Sequence, residues 1–338
     1  MFPGGRALIN YWLKSAPKEV PRIEILDSNG PLIRKFDGPR RVGMNRAEWD
    51  LRYEAPKLVA LRTAPAENSH IWEERRFRGT DARPILHWGI KEAEVGPVAL
   101  PGKYTIRLTI DGQTYTQPLT IIKDPKNPAN DSDLETSFKM QLQIRDDISK
   151  TADAVNRIEW MRKQISVLEA MARSEGKKGR DDERGDKDQQ DKRQQEKDKP
   201  DKSDDKSNPN AALLKSLQAM DQKMQSVECK FISRAEALSD DKYYSSADKI
   251  YLNLIWLNAE VGTGGGDVAG GTGFGPTEAS ITLLQMIEKD LAAAENEVQT
   301  LLEKDVPEFN RSLVDRRITP IISFNNSAPA TREEAPAR

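Results

Sequence analysis

The sequence of 338 residues contains one cysteine and only two histidines. A lone Cys229 cannot form a disulfide within the chain, and a cysteine-rich zinc site is excluded as well. It lies in a helical pattern, which favours a buried and unreactive thiol. His70 and His87 have no flanking carboxylates at the spacing of a metal site, so ordinary loop positions are the favoured interpretation. The composition therefore predicts neither a metal centre nor a cofactor.

The chain also lacks an excess of charge of either sign, with 52 Lys and Arg residues against 54 Asp and Glu residues. Its basic runs are interleaved with acids, whereas nucleic-acid binding needs clustered positive charge. No window approaches the roughly 20 apolar residues of a membrane span. We therefore expect no nucleic-acid partner and no membrane span.

The opening residues, Met1 to Arg6, do not show the charged and then apolar pattern of a signal peptide. A strand pattern begins almost at once, at Ala7. The sequence therefore gives the expectation that this chain is part of a longer protein, and it leaves the compartment open.

Motifs of catalytic chemistry are missing too. The Gly-x-Ser-x-Gly elbow of a serine hydrolase is absent, and no pair of acids is singled out for glycoside cleavage. Residues 262–275 are rich in glycine, but a helical pattern precedes them and no Lys follows as in a phosphate-binding loop. We predict a flexible loop there, no catalytic residue, and no enzymatic activity of this chain.

What the sequence does contain, up to residue 124, is a series of strand and turn patterns. Pro101-Gly102 fits a type II turn, and Asn29-Gly30 fits a hairpin turn. Apolar and polar residues alternate strictly after the first turn, with Tyr104, Ile106, Leu108 and Ile110 on one face. Short strands with this punctuation predict an Ig-like antiparallel β-sandwich over residues 5–124. The weakly patterned residues 54–96 are expected at the edge of the sheet.

Helical patterns dominate after Asp124-Pro125. A capping box at Ser132 and Glu135 precedes an apolar stripe. Helices are predicted over 132–173, 211–238 and 246–261, and from Pro276 to residue 315. They predict an antiparallel α-helical bundle over 131–318, so the fold class is α+β and multidomain.

Two inserts and a tail are expected to be irregular. Residues 175–206 hold 11 Lys and Arg residues and 12 Asp and Glu residues but no large apolar residue. Such a segment cannot bury enough surface to offset the chain entropy that folding loses. We predict disorder over 174–210, a flexible glycine-rich loop over 262–275, and a flexible tail over 319–338.

Five aromatic residues could stack on sugar rings. Trp49 and Tyr104 fit the sandwich core better. Trp72 and Trp88, in the weakly patterned segment, are the candidate ligand surface, and Trp12 lies in the opening strand pattern.

Residues 43–53 together with 101–108 resemble the C-terminal portion of bacterial sortilin-like β-propeller proteins. These proteins carry neuraminidase-type repeats and are often labelled glycosyl hydrolases or exo-sialidases. The opening residues 7–18 and the closing residues 305–310 are similar to that family as well. The resemblance implies an Ig-like sandwich and a helical tail behind a propeller, and it implies export. The propeller's Ser-x-Asp-x-Gly-x-Thr-Trp boxes are missing, so no catalytic residue is carried over.

Three functions follow as hypotheses. The first is a non-catalytic structural or protein-interaction module that docks against a β-propeller domain or another partner protein. The second is a carbohydrate-binding accessory module that uses Trp72 and Trp88 to bind a glycan. The third is a fragment of an exo-sialidase-like glycosyl hydrolase whose catalytic propeller is not in this chain.

Overall fold

The computed structural model describes residues 5–86, 90–183, 210–238 and 247–323, apart from positions 263, 266, 267 and 272. Strands come first in the chain, namely β1 (Ala7–Leu13), β2 (Arg22–Asp27), β3 (Leu32–Asp37), β4 (Gly43–Trp49), β5 (Gly102–Ile110) and β6 (Gln113–Ile121). The helices are α1 (Ile90–Ala93), α2 (Asp131–Glu183), α3 (Ala211–Phe231), α4 (Arg234–Leu238), α5 (Ile250–Val261), α6 (Glu278–Thr300) and α7 (Val306–Asp315). The fold is therefore mixed, with the strands and the short helix α1 before residue 122 and the other helices after it.

The described strands form two antiparallel sheets. β1 pairs with β4 in a two-stranded sheet, and the other sheet has the order β3-β2-β5-β6. The Asn29-Gly30 turn joins β2 to β3 as predicted, with Gly30 at a φ of +95° that favours glycine. The predicted strand after Pro101-Gly102 is also confirmed as β5, which pairs with β2 on one side and β6 on the other.

One hydrophobic core takes side chains from both sheets. Its buried members are Ile9, Tyr11, Leu13, Ile23, Ile25, Ile33, Ala47, Trp49, Ala99, Tyr104 and Leu108. The Trp49 and Tyr104 rings meet edge to face, with their centroids 5.9 Å apart. Both aromatics lie in the core, as the sequence predicts.

The longest helix, α2, begins slightly earlier and ends later than predicted. Its first turn is capped by Asn130, whose Oδ1 accepts a 2.8 Å hydrogen bond from the backbone N–H of Asp133. The predicted cap, Ser132, lies inside the helix. α2 continues to Glu183, ten residues into the predicted irregular insert, although this stretch includes Gly176 and Gly179. Residues 184–209 lie outside the described residues, so disorder there stays a prediction.

Two of the predicted helices are interrupted. The one expected over 211–238 breaks after Phe231, and α4 starts anew at Arg234. The last one widens into a π-helical turn, Leu301–Asp305, just ahead of Pro307. Proline has no N–H to donate and crowds the preceding turn, which explains a local change of pitch at this point.

The segment 54–96 packs against the helices and not merely along a sheet edge. Five of its buried apolar residues belong to the same hydrophobic core as α2, α3, α5, α6 and α7, namely Val59, Leu61, Ile85, Ile90 and Ala93. The amide of Asn156 on α2 accepts from the backbone N–H of Ala60 at 2.6 Å and donates to the carbonyl of Leu58 at 3.0 Å. The strand-rich and helical parts of the chain are thus joined through this segment.

Parts of the predicted flexible segments are ordered against neighbours. In the glycine-rich loop, the Gly271 N–H donates to the Gly262 carbonyl at 3.0 Å. A Cβ on Gly265 would stand 3.1 Å from the backbone nitrogen of Ala93, so the loop closes tightly on α1. At the start of the tail, Ile321 is buried and its N–H donates to Asn310 at 2.9 Å. Residues 324–338 lie outside the described part of the chain.

Among the helices that the structure describes, none has the length and apolar character needed to cross a membrane.

Candidate functional site

The predicted aromatic ligand surface is described only at Trp72. Trp88 and His87 lie outside the described residues, so a joint Trp72–Trp88 surface stays a prediction. Trp72 lies half-buried in a short 3-10 turn, Ile71–Glu73. The Arg83 guanidinium and the Lys163 ammonium lie 6.0 and 5.8 Å from its ring centroid. Both cations are within reach of a cation–π interaction, so Trp72 already has partners inside the protein.

A buried cluster of charges lies where segment 54–96 meets α2 and α3. Arg162 donates from Nη1 to Glu228 Oε2 at 2.5 Å and to Glu159 Oε1 at 3.2 Å. Its Nε donates to Asp221 Oδ1 at 2.9 Å. Arg162, Glu159 and Glu228 are each less than a tenth exposed. One guanidinium therefore holds together three carboxylates from two helices.

The same cluster fastens segment 54–96 to α2. Glu159 Oε2 accepts hydrogen bonds from the backbone N–H groups of Arg62 and Thr63, the latter at 2.7 Å. The Thr63 hydroxyl donates to Glu159 Oε1 at 2.5 Å. A carboxylate bound by backbone donors and a guanidinium at once is strongly fixed in place.

Burial and neighbouring charges shift the proton affinities of this cluster. Burial raises the pKa of Glu228 well above its usual range, Glu159 raises it further, and Arg162 opposes the shift. Burial also lowers the pKa of Arg83, which lines the same cavity, to about 10.

Shifts of this kind occur at catalytic sites. The enclosed space measures only about 20 Å³, which is room for one water molecule and not for a substrate. The cluster therefore acts as an ionic clamp between elements of the fold.

A larger groove lies between the end of α3, the second half of α6 and the start of α5. Its volume is about 340 Å³, and Lys230, Lys249, Asp290 and Glu297 line it together with Ile287. Lys230 and Glu297 already face each other at 3.5 Å. The charges of this groove are mixed in sign, so they select no single class of ligand.

Glu236 supplies a titration that can be measured. Its Oε2 accepts from the Ser233 N–H at 2.5 Å, while Ser233 Oγ accepts from the Glu236 N–H at 3.1 Å. This reciprocal pair is a capping box for α4. Burial raises the pKa of Glu236 to about 7, against the opposing Ser233 hydrogen bonds.

We expect Glu236→Gln to remove part of the pH dependence of stability. A carboxyl whose pKa is raised on folding binds more protons in the native state, so stability falls as pH rises from about 4.5 to about 7. The glutamine keeps an acceptor for Ser233 and does not ionise. Urea titrations measure the free energy of unfolding at pH 5 and pH 8. Between the two pH values it should fall by about 1–3 kcal/mol more in wild type than in the variant. A constant difference would show that Glu236 titrates normally. Glu303→Gln, at a more exposed position on the π turn, is the control.

The outer face of the β1–β4 pair carries a run of exposed apolar side chains. Trp12 and Met44 stand opposite each other in the register and are 67% and 66% exposed. Leu8 lies on the same face of β1 as Trp12 and is 51% exposed. We call Leu8, Trp12 and Met44 the ribbon face.

Sequence reasoning missed the ribbon face although the signal was present. In β1 the inward residues Ile9, Tyr11 and Leu13 are apolar, but so are Leu8 and Trp12 between them. A strand with one solvated face needs only one apolar set. Packing in the core of this chain does not account for the second apolar set, Leu8 and Trp12.

Comparison with known proteins gave no match to a family model, to a curated protein or to a solved structure. Within the described residues, no group of three or more His, Cys, Asp or Glu side chains is arranged to hold a metal ion.

Proposed function

We propose that the protein is a non-catalytic structural and protein-interaction module, an Ig-like β-sandwich fused to a helical bundle, that docks through the ribbon face. The observation that carries the proposal is the Trp12–Met44 pair. It lies exposed on a two-stranded sheet whose opposite face is already buried in the core. The small volume enclosed by the charged cluster supports a role without catalysis.

The surroundings of the ribbon face have the composition of a protein interface. Trp and Met are enriched in interfaces, and a polar rim commonly surrounds the apolar centre. Here Arg6 Nη1 lies 2.6 Å from Glu48 Oε2, and Arg46 Nε donates to Asn10 Oδ1 at 3.0 Å. The second pair joins β4 to β1, and the first joins β4 to the residue just before β1, so both lie beside the apolar side chains. Exposed apolar residues that occur together mark contact surfaces more often than single ones do.

A β-propeller domain is the proposed partner. Residues 43–53 carry the resemblance to propeller-containing proteins, and Met44, Arg46 and Glu48 of that stretch lie on the outer side of β4. If this stretch contacts the propeller in such proteins, the outer side of β4, which is exposed here, is the surface that would make the contact.

Affinity capture from the cells that make the protein tests this function. The tagged full chain should recover a β-propeller polypeptide, and Trp12→Ala/Met44→Ala should recover about tenfold less of it. Phe274→Ala/Met286→Ala is the matched control, because these side chains are similarly exposed, at 69% and 60%, but lie on the helical part. Recovery of no propeller polypeptide, or equal recovery by both double variants, would contradict the proposal.

A further inference from the structure

We infer that a second copy of this chain pairs with the edge of β1 that no other described strand occupies, antiparallel and about a two-fold axis through Asn10. This inference goes beyond the proposed docking function, because it concerns pairing through the backbone edge of β1, in which Leu8 and Trp12 of the ribbon face also take part. It rests on a comparison of the four sheet edges.

Two of the edges carry features that oppose the addition of another strand. β6 contains Pro118, which cannot donate a backbone hydrogen bond. β3 carries Arg34 and Lys35, and its pairing with β2 shifts register between Ile25 and Leu26. Charged side chains, prolines and irregular pairing are the usual protections of an edge strand.

The two edges of the β1–β4 sheet differ from each other. β4 begins with Gly43 at a φ of +97° and carries the charged Arg46 and Glu48. β1 spans Ala7–Leu13 without a charge, a proline or a glycine. Among the described strands, β4 alone pairs with β1. The β1 edge is thus a seven-residue strand that can accept a partner along its whole length.

The sequence of β1 is complementary to itself when it runs antiparallel about Asn10. This register places Leu8 opposite Trp12 of the second copy, on the outer face of the sheet. It places Ile9 opposite Tyr11 of the second copy, on the inner face. Apolar and aromatic side chains in directly opposed positions stabilise antiparallel pairs. The result is a continuous sheet in the order β4-β1-β1-β4, closed by two-fold symmetry as most homodimers are.

The ends of the paired strands carry charge. The register places Arg6 opposite Lys14 of the second copy, and like charges in that position repel. Arg6 pairs with Glu48 of its own β4 at 2.6 Å, and this carboxylate offsets part of its charge. The apolar pairs between the two β1 strands, and not the charges at their ends, therefore favour a second copy.

Sedimentation equilibrium of the full chain with a charge exchange tests the pairing and its register. Wild type should dimerise in a concentration-dependent manner. Leu8→Lys/Trp12→Lys places lysines opposite each other and should weaken the dimer about tenfold or more. Leu8→Glu/Trp12→Lys creates two Glu–Lys pairs in the same register and should restore dimerisation. Both positions are exposed, so circular dichroism of the variants should match that of wild type.

Met44→Lys is the matched control, because it places the same charge on β4 at similar exposure. It should leave the dimer intact. A wild-type chain that is monomeric at all concentrations would overturn the inference. So would a dimer that the double lysine variant leaves unchanged, or one that Met44→Lys disrupts equally. Failure of Leu8→Glu/Trp12→Lys to restore the dimer would exclude the register about Asn10.

Discussion

Replacing Arg162 by methionine is expected to lower the free energy of unfolding by about 3–5 kcal/mol. Methionine keeps much of the side-chain volume but removes the charge that pairs with Glu159, Asp221 and Glu228. Two of these carboxylates are buried, so their charges would lose their compensation in a region of low dielectric. The loss should grow as pH rises, because burial raises the pKa of Glu228 and more of its carboxyl is then ionised. Chemical denaturation at pH 5 and pH 8 measures both effects.

Arg173→Met on the same helix is the control for Arg162→Met. Arg173 is 57% exposed and pairs with Glu169 at 3.6 Å across one helical turn. Exposed pairs of this kind contribute about 0–1 kcal/mol. Equal and small losses in both variants would show that the charged cluster does not clamp segment 54–96 to the helices.

Trp49→Ala is expected to lower the free energy of unfolding by about 3–5 kcal/mol as well. Trp49 is 1% exposed, lies edge to face with Tyr104, and donates from Nε1 to the Arg52 carbonyl at 2.8 Å. The substitution removes the packing between the sheets and leaves that carbonyl without its buried donor. Thermal and chemical unfolding monitored by far-ultraviolet circular dichroism give the change.

The exposed tryptophan of the neighbouring strand provides the comparison for Trp49. Trp12→Ala should change the stability of the isolated chain by no more than about 0.5 kcal/mol. A large loss in the free energy of unfolding for Trp12→Ala, together with a small loss for Trp49→Ala, would reverse the assignment of Trp49 to the core and Trp12 to the surface.

Periodic segments of this chain could be predicted from sequence. The alternation after Pro101-Gly102 gave β5 and its inward face, and the apolar stripes gave most helices to within a few residues. Both signals are local, because the buried face repeats every two residues in a strand and every three to four in a helix. The Asn29-Gly30 hairpin depends on turn chemistry that is equally local.

Contacts between distant parts of the chain could not be predicted in the same way. Arg162 meets Asp221 and Glu228 across 59 and 66 residues, and Glu159 meets Arg62 across 97. Among 106 charged residues, taken as 52 basic and 54 acidic, no local pattern marks these few. The apolar residues of segment 54–96 are too irregularly spaced to show a period. The position of that segment between the sheets and the helices therefore emerged only from the fold.

The candidate ligand surface shows the same limit. Trp72 was favoured because its segment has no regular pattern, yet Arg83 and Lys163 lie close to its ring. Trp12 lies in a regular strand and was not chosen as the ligand surface, yet it is exposed, because the strand has apolar residues on both faces. Alternation identifies which residues share a face, but it does not tell which face the core covers.

The structure also connects the ribbon face to the helices. The Tyr53 ring, which follows β4, meets the Phe138 ring on α2 at 5.0 Å. The Glu159 clamp fixes the next part of the chain to the same helix. A partner bound at the ribbon face would therefore be held at a defined orientation to the helical part, as a bracing module requires.

Site-specific photo-crosslinking from position 44 tests the proposed docking surface most directly. A benzoylphenylalanine replaces Met44 in the full chain in one strain and Met286 in another, within the cells that make the protein. Our account predicts a crosslinked product with a β-propeller polypeptide from position 44 and none from position 286. An absence of that product at position 44, or the same product from both positions, would contradict the assignment of the ribbon face as the surface that binds a partner.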